Sequence, residues 1–537
     1  MTQQKSGFVS SMRINNSVLS TFTGVLLWAA WPANGVAPLL WVAFIPLLII
    51  EWRFYNHSDQ NGKSPFRYFY FTFVLFNLFT TWWVWNASAF GVIMAIVLNS
   101  LFMATVFWLF YKCHKILKSD LAYFLLPVFW LSFEYMHMDW DLSWPWLTLA
   151  NGWAAWYKCV QWYEFTGFSG GTIWTWAANI FLFLAIKHHA QPLAKKYFRL
   201  ALSVIIFPLV LSYTIYFTYT EKINPVNIVV AQPNIDPYNE KFVGDNFSHI
   251  EMMLKLASTK IDTTTDYYVT PETAIASGIW EEQLYNHRTI RLMQNLVKQY
   301  PQLSIVTGAA TDKFYRKGEN KSVTARKFSE TDDYYDSYNT ALQIDATDSI
   351  QIYHKSKLVP GVEKMPFEFI FKHMEQFAID LGGASGSLGN QNDVSVFKTQ
   401  KHTIAPVICY ESIYGKYVGK YVRKGADLIF IITNDGWWGN TPGYRQHLQY
   451  ARLRAIEMRR SIARSANTGI SCFINQKGDI IQQAQWWQTD VLKQTINANT
   501  TMTVYARIGD IIAIVSCLLS LIALLWCGAI TFRNKAN

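Results

Sequence analysis

Hydrophobic residues fall into two unlike patterns along this chain. Before about residue 220, and again near the C-terminus, they form long uninterrupted runs; between these they come in short β-branched groups separated by polar stretches. Runs close to the ~20 residues that cross a bilayer lie at about 17–31, 36–51, 68–86, 89–111, 120–136, 171–187 and 198–217, and an eighth at about 509–531. The first follows a polar tail and reads as an uncleaved signal anchor, because further spans come after it. Trp31-Pro32-Ala33-Asn34-Gly35 breaks it from the second.

From about 220 the expected strands are Val226–Ala231, Tyr267–Thr270, Ser304–Gly308, Thr340–Asp345, Ile350–Tyr353, Thr403–Ile408, Leu428–Thr433 and Ile470–Asn475, with helical segments at 244–258, 281–299 and 442–459. This alternation predicts an α/β or layered arrangement. Residues 313–333, rich in Lys, Ser, Thr and Asp, read as an exposed excursion. The organisation expected is a membrane domain of seven helices (1–219), a polar domain (220–505), and a last membrane helix with a short tail (506–537).

Composition agrees with two unlike parts. Only 16% of the 537 residues are charged, against roughly 25% in ordinary globular domains, while the mean hydropathy is a near-neutral +0.08. A net charge of +10 invites a nucleic-acid partner, but the position of the basic residues argues otherwise. With the N-terminus inside, fourteen Lys and Arg fall in inside segments, from Lys5 and Arg13 to Arg533 and Lys535, against Lys158 alone in the short outside loops. That bias is the positive-inside pattern; it predicts eight spans, both termini cytoplasmic, and residues 220–505 outside, so the charge implies topology and no nucleic acid. The loop carrying Trp140, Trp144, Trp146, Trp153, Trp156 and Trp162 reads as an interfacial aromatic belt or as a platform for acyl chains. Six cysteines without a CxxC pair give neither a disulfide framework nor a zinc site; only a Cys409–Cys472 bridge is conceivable. No metal cluster and no nucleotide-binding glycine motif is visible, so no cofactor is expected.

Three expected strand ends carry a reactive side chain: Glu272 in Tyr-Val-Thr-Pro-Glu-Thr-Ala, Lys355 in Ile-Tyr-His-Lys-Ser-Lys-Leu-Val-Pro, and Cys409 in Val-Ile-Cys-Tyr-Glu-Ser. Strand ends in α/β folds face the ligand crevice. A thiol needs a base or a positive neighbour to act as a nucleophile; Glu272 offers the base, and Lys355 a cation favouring thiolate and a carbonyl oxyanion. Taken singly, Cys409 also fits core packing, and Glu272 and Lys355 fit solvated loops. His447 fits a helix after the Trp437-Trp438 turn, in packing or hydrogen bonding.

These peptides, with Val229-Val-Ala-Gln-Pro-Asn234 and Asn434-Asp-Gly-Trp-Trp-Gly439, resemble the nitrilase superfamily and its Glu-Lys-Cys triad. A polar domain placed before the last of eight spans, together with Ser143-Trp-Pro-Trp-Leu147 and Gln161-Trp162 to Gly170, resembles the membrane-embedded apolipoprotein N-acyltransferase branch. The resemblance implies a polytopic helical membrane domain joined to an αββα sandwich. It implies a ping-pong reaction in which Cys409 takes an acyl group from a phospholipid as a thioester and passes it to the α-amino group of a diacylglyceryl-cysteine of an apolipoprotein, at the outer face of a bacterial inner membrane. It adds Glu363 beside the reacting carbonyl, with Tyr410, Glu411 and Trp437 in support. Gly361-Val362 departs from the family's usual Phe-Gly, and the aromatic segment 365–371 reads as a lid or as a packed helix. A membrane-tethered amidase using water as acceptor is the alternative; a non-enzymatic scaffold is disfavoured by the intact trio.

Overall fold

The computed structural model describes residues 14–33, 35–56, 64–243, 246–347, 349–367 and 387–536. The chain divides into two compact units: Met1–Trp82, Val92–Thr218 and Ile508–Asn537 form one, and Trp83–Gly91 with Tyr219–Arg507 the other.

The first unit is helical. Among the described residues five helices are long and apolar enough to cross a membrane: Ala37–Asn56, Ala89–Leu117, Phe168–Lys187, Pro192–Thr218 and Ile511–Lys535. The runs expected at 17–31, 68–86 and 120–136 are also helical, but their α-helices are short, Asn16–Ala30, Phe66–Thr81 and Leu125–Met136. Local chemistry sets those lengths. Thr72, Asn77 and Thr81 turn their side chains back onto carbonyls four residues earlier, a habit that bends helices, and the backbone then tightens into a 3-10 turn over Trp82–Asn86. Pro127 fits only near a helix start, so Asp120–Phe124 ahead of it is a 3-10 turn.

Asn179 supports a break in the second expected span. Its Nδ2 donates to the Leu40 carbonyl at 2.7 Å and its Oδ1 accepts from the Phe44 N–H at 2.9 Å, partners that lipid cannot provide. Neither expectation for the Trp-rich loop survives intact. Trp146, Trp153 and Trp162 are buried within this unit, and only Trp140 and Trp156 are exposed. Trp153 packs on Trp41 and Trp174 and donates its indole N–H to Thr175 Oγ1 at 3.1 Å, so these rings are core, the Trp153 tip satisfied and the Trp162 indole nitrogen buried without a hydrogen bond among the described residues.

The second unit holds, among the described residues, β1 (Pro225–Gln232), β2 (Tyr267–Val269), β3 (Ile275–Trp280), β4 (Ser304–Phe314), β5 (Arg326–Lys327), β6 (Tyr334–Ile344), β7 (Gln351–His354), β8 (Phe397–Lys398), β9 (Thr403–Ile408), β10 (Leu428–Thr433), β11 (Ile462–Ala466), β12 (Cys472–Ile474), β13 (Ile480–Gln483) and β14 (Asp490–Asn497). One sheet runs β14-β1-β2-β4-β6-β5, with β3 also on β4 and β7 also on β6; the other runs β13-β12-β11-β10-β9-β8. The sheets face each other: Tyr267 of β2 meets Phe430 of β10 edge-on at 5.1 Å, and Ser465 Oγ of β11 donates to the Ala231 carbonyl of β1 at 2.7 Å.

Helices close both outer faces. Ile250, Met253 and Ala257 on the helix Asn246–Ser258, and Ile290, Met293 and Val297 on Arg288–Gln299, repeat at the three-to-four spacing of an apolar stripe and bury against Val229, Tyr268, Ile305 and Leu342. On the other side lie Gly415–Arg423 and Pro442–Met458, with Tyr421 reaching the Pro406 carbonyl of β9. The layers are therefore α-β-β-α. Leu428–Thr433 is buried at every residue, as a central parallel strand covered on both faces must be. β1, β2 and β4 run parallel, as do β9, β10 and β11.

Candidate active site

Glu272 follows β2 in the turn Pro271–Thr273, where Thr273 has φ +49°. Lys355 follows β7, and Cys409 follows β9 at φ +49°, opening the 3-10 turn Cys409–Ile413. For a non-glycine residue the left-handed region costs about 1–2 kcal/mol, so two of the three loci hold strained backbone at the end of a strand. Tertiary bonds hold the second: the Cys409 carbonyl accepts from Ser412 Oγ at 2.8 Å and lies 3.2 Å from His447 Nε2.

Glu272 and Lys355 meet directly. Lys355 Nζ donates to Glu272 Oε1 at 3.0 Å and to Glu363 Oε1 at 2.8 Å, and is 1% exposed. Asn339 Nδ2 donates to the same two oxygens, at 2.8 and 3.2 Å. The Asn434 N–H donates to Glu272 Oε2 at 3.0 Å, so both carboxylate oxygens are bonded. Glu363 is fixed in turn by the Val359 N–H on Oε2 at 2.9 Å; Gly361, inside that turn, has φ +76°, which a glycine adopts without cost.

The electrostatics divide the labour. Burial works to raise the Glu272 carboxyl, but the charges of Lys355 and Lys241 outweigh it and hold the group below its ordinary value. Burial pushes the Lys355 ammonium down, and Glu272, Glu363 and Cys409 more than reverse this, leaving it firmly charged. The Cys409 thiol is raised, first by burial, then by Glu272 and Asp435, against the opposing pull of Lys355 and a Thr433 hydrogen bond. Lys355 thus favours the thiolate in the expected direction, but burial and Glu272 outweigh it. In the resting site the thiol keeps its proton and Glu272 is ionised.

Glu411 ties the Cys409 turn to the Lys355 loop: Oε1 accepts from Tyr353 OH at 2.6 Å and from the Ser356 and Lys357 N–H groups, and Oε2 from the Ile408 N–H at 2.9 Å. Tyr410 is buried, edge-on to Tyr414. Trp437 stacks on Phe242 at 6.2 Å and accepts at its carbonyl from Tyr238 OH. His447 Nδ1 lies 2.9 Å from Asp435 Oδ1, and Arg464 pairs with Asp435 Oδ2 at 2.6 Å, all three buried, so the imidazole braces the Cys409 backbone. Phe369 and its neighbours at 368–371 lie outside the described residues. All six cysteines are free thiols, so Cys409 and Cys472 are not bridged. Among the described residues no group of His, Cys, Asp and Glu could hold a metal ion.

Three residues bonded to Glu272 lie outside the expected site residues: Lys241, Asn339 and Asn434, the last of them the first residue of the Asn434–Gly439 motif. Lys241 is 4% exposed and donates to the Glu272 carbonyl oxygen at 2.8 Å. A cysteine just after a strand, a carboxylate in reach of a buried lysine, and strained backbone at both ends form a site for nucleophilic attack on a carbonyl carbon.

Residues 229–505 match the family model for carbon-nitrogen hydrolase. The chain belongs to that family. Residues 23–181 match the model for the apolipoprotein N-acyltransferase N-terminal domain. Two curated relatives extend over almost the whole chain, both apolipoprotein N-acyltransferases. That of Chlorobaculum tepidum is 29% identical over 94% of this chain and 95% of its own, and that of Geobacter metallireducens 25% identical over 92% of each. Among solved structures, Saccharomyces cerevisiae Nit3, a member of branch 10 of the nitrilase superfamily, overlaps 52% of this chain and 93% of its own at 14% identity and TM-score 0.36.

Proposed function

We infer that this chain is an apolipoprotein N-acyltransferase, with a phospholipid as acyl donor and the α-amino group of an N-terminal diacylglyceryl-cysteine as acceptor. The observation that carries the chemistry is the buried Glu272–Lys355–Glu363 cluster beside a protonated Cys409; the whole-chain relatives and apolar helices support lipid and lipoprotein substrates.

In the first half-reaction Glu272 takes the thiol proton as Sγ attacks the ester carbonyl, forming the C–S bond. Lys355 offsets the negative charge arising on sulfur and on the carbonyl oxygen. The intermediate collapses, the C–O bond breaks, and Glu272 returns the proton to the departing lyso-phospholipid oxygen. In the second half-reaction the amine nitrogen attacks the thioester, Glu272 accepts its proton, the amide forms, and the sulfur leaves and is reprotonated. Tyr410, Glu411 and Trp437 shape the walls and loops around these steps.

The same reading includes eight spans with both termini cytoplasmic, and the catalytic residues on the outer face of the bacterial inner membrane, supported by the distribution of Lys and Arg. Long apolar helices disfavour a small-amide hydrolase, which has no need of them.

Mixing the purified protein with phospholipid adds one acyl mass to the Cys409 peptide, removable by hydroxylamine, and then yields an N-acylated lipopeptide. Cys409→Ala gives neither. Transfer by that variant at the normal rate excludes the thioester route, and rapid release of ammonia from small amides would support the hydrolase instead.

A further inference from the structure

Lys241 lies in the loop after β1 and outside the trio, yet it is buried against it. Its ammonium reaches the Glu272 carbonyl oxygen at 2.8 Å. With the Asn434 amide turned so that its oxygen faces the Trp437 indole, Lys241 also donates to that oxygen at 3.2 Å. Among the described residues no carboxylate makes an ion pair with it, which is unusual for a buried lysine. Burial pulls its ammonium down to about 8, against the raising influence of Glu272 and Cys409, so it is charged at neutral pH.

Charge counting shows what it is for. Glu272 and Glu363 share the single ammonium of Lys355, so that cluster alone carries one uncompensated negative charge. Moving the thiol proton onto Glu272 does not change the sum; it relocates the charge to sulfur and then to the carbonyl oxygen. A net negative site raises both the carboxyl and the thiol and opposes the oxyanion. The missing positive charge is Lys241.

We propose that Lys241 is a positioning residue for the transfer, whose ammonium anchors the Glu272 turn through its carbonyl and keeps the buried cluster neutral while negative charge moves from Glu272 to Cys409. The anchoring has a backbone reason: the adjacent Thr273 sits at φ +49°, and a strained turn persists only when its surroundings hold it. The inference rests on the acyl-transfer reading for its acylation rates but not for its alkylation test.

That test uses the full-length protein in detergent at pH 7, where Lys241 is charged, with iodoacetamide as the probe, and reads the rate of alkylation of the Cys409 peptide by mass spectrometry. The charged and titratable groups facing Lys241 are Glu272 and Cys409, with Lys355 and Glu363 behind them. Lys241→Met and Lys241→Gln slow both this alkylation and acyl-thioester formation from phospholipid at least tenfold. Lys241→Arg, keeping the charge, holds the alkylation rate. The double variant Lys241→Met with Glu363→Gln removes one charge of each sign and returns the alkylation rate toward that of the unmodified protein. Two uncharged variants guard against one failing to fold, checked by melting temperature. An unchanged alkylation rate in a folded uncharged variant overturns the proposal; so does a double variant as slow as the single, because a steric loss is not repaired by deleting a carboxylate. If the unmodified protein alkylates at Cys409 but never acylates, the acyl-transfer reading fails while the alkylation rates still judge Lys241.

Discussion

At Cys409 the resting thiol is held neutral because burial and Glu272 both penalise its anion. On the proposed mechanism deprotonation therefore belongs to the attack itself, which protects a buried nucleophile from chance oxidation and alkylation, since the thiolate is the reactive form. Glu411 behaves oppositely to Glu272. Among the described residues no cation pairs with it directly, and burial raises it to about 7 despite its hydrogen bonds. A folded value above the unfolded one of roughly 4.3 means its contribution to stability is full below that value and fades as pH rises through 7. Replacing Glu411 with Gln should accordingly shift the melting gap from the unmodified protein in the variant's favour between pH 5 and pH 8; a constant gap in thermal scans would show that Glu411 does not titrate there. Residues such as Cys409 and Lys355 were legible because each closes an apolar strand within a distinctive peptide. Lys241 was not: it stands in a polar stretch, Asn239-Glu240-Lys241, and only the closing of the loop over Glu272 buries it. Asn339 was hidden inside β6, where an asparagine looks like any strand polar residue.

Among the elements, β4 is the one whose sequence most directly controls the site. At Gly308 a Cβ would stand 2.5 Å from the Thr273 nitrogen, 2.6 Å from the Pro271 carbonyl oxygen and 2.7 Å from Glu272 Cα. Those are backbone atoms, so no rotamer change relieves the overlap. Gly308→Ala should cost about 1–3 kcal/mol and displace Glu272, cutting thioester formation by at least a hundredfold while circular dichroism stays unchanged; retained acylation would mean the turn can yield. Expected strands such as Thr403–Ile408 and Leu428–Thr433 read clearly because both are short apolar runs rich in β-branched residues. β3, β11 and β14 did not, each for a physical reason. β3 carries Ser277-Gly278; β11 carries Arg464, whose charge is absorbed by Asp435; β14 alternates weakly and pairs antiparallel with β1. The eight apolar runs all became helical, but sequence hydropathy could not show that three would form helices shorter than a span, since side-chain back-bonding and a proline set their ends.

On the scale of the whole molecule, the positive charge that might have signalled nucleic acid fits the proposed topology, and the near-neutral hydropathy is the mean of an apolar bundle and a polar sandwich. The sandwich is not one stretch of chain. Trp83–Gly91 belongs to it: Trp83 meets Trp438 at 4.9 Å and packs so closely on Gly443 that a Cβ there would overlap its ring, while Asn86 donates to the Trp438 carbonyl at 2.9 Å. A fragment of residues 219–507 alone should melt several degrees below the same fragment supplied with a peptide of residues 83–91; equal melting temperatures would show that the segment adds nothing. During synthesis this segment leaves the ribosome more than a hundred residues ahead of Tyr219, on the order of 10 s at ordinary elongation rates. For that interval Trp83 has no Trp438 to meet. The active unit therefore cannot finish folding in the order in which it is made, and the piece of chain delivered first must wait for the rest before it can dock.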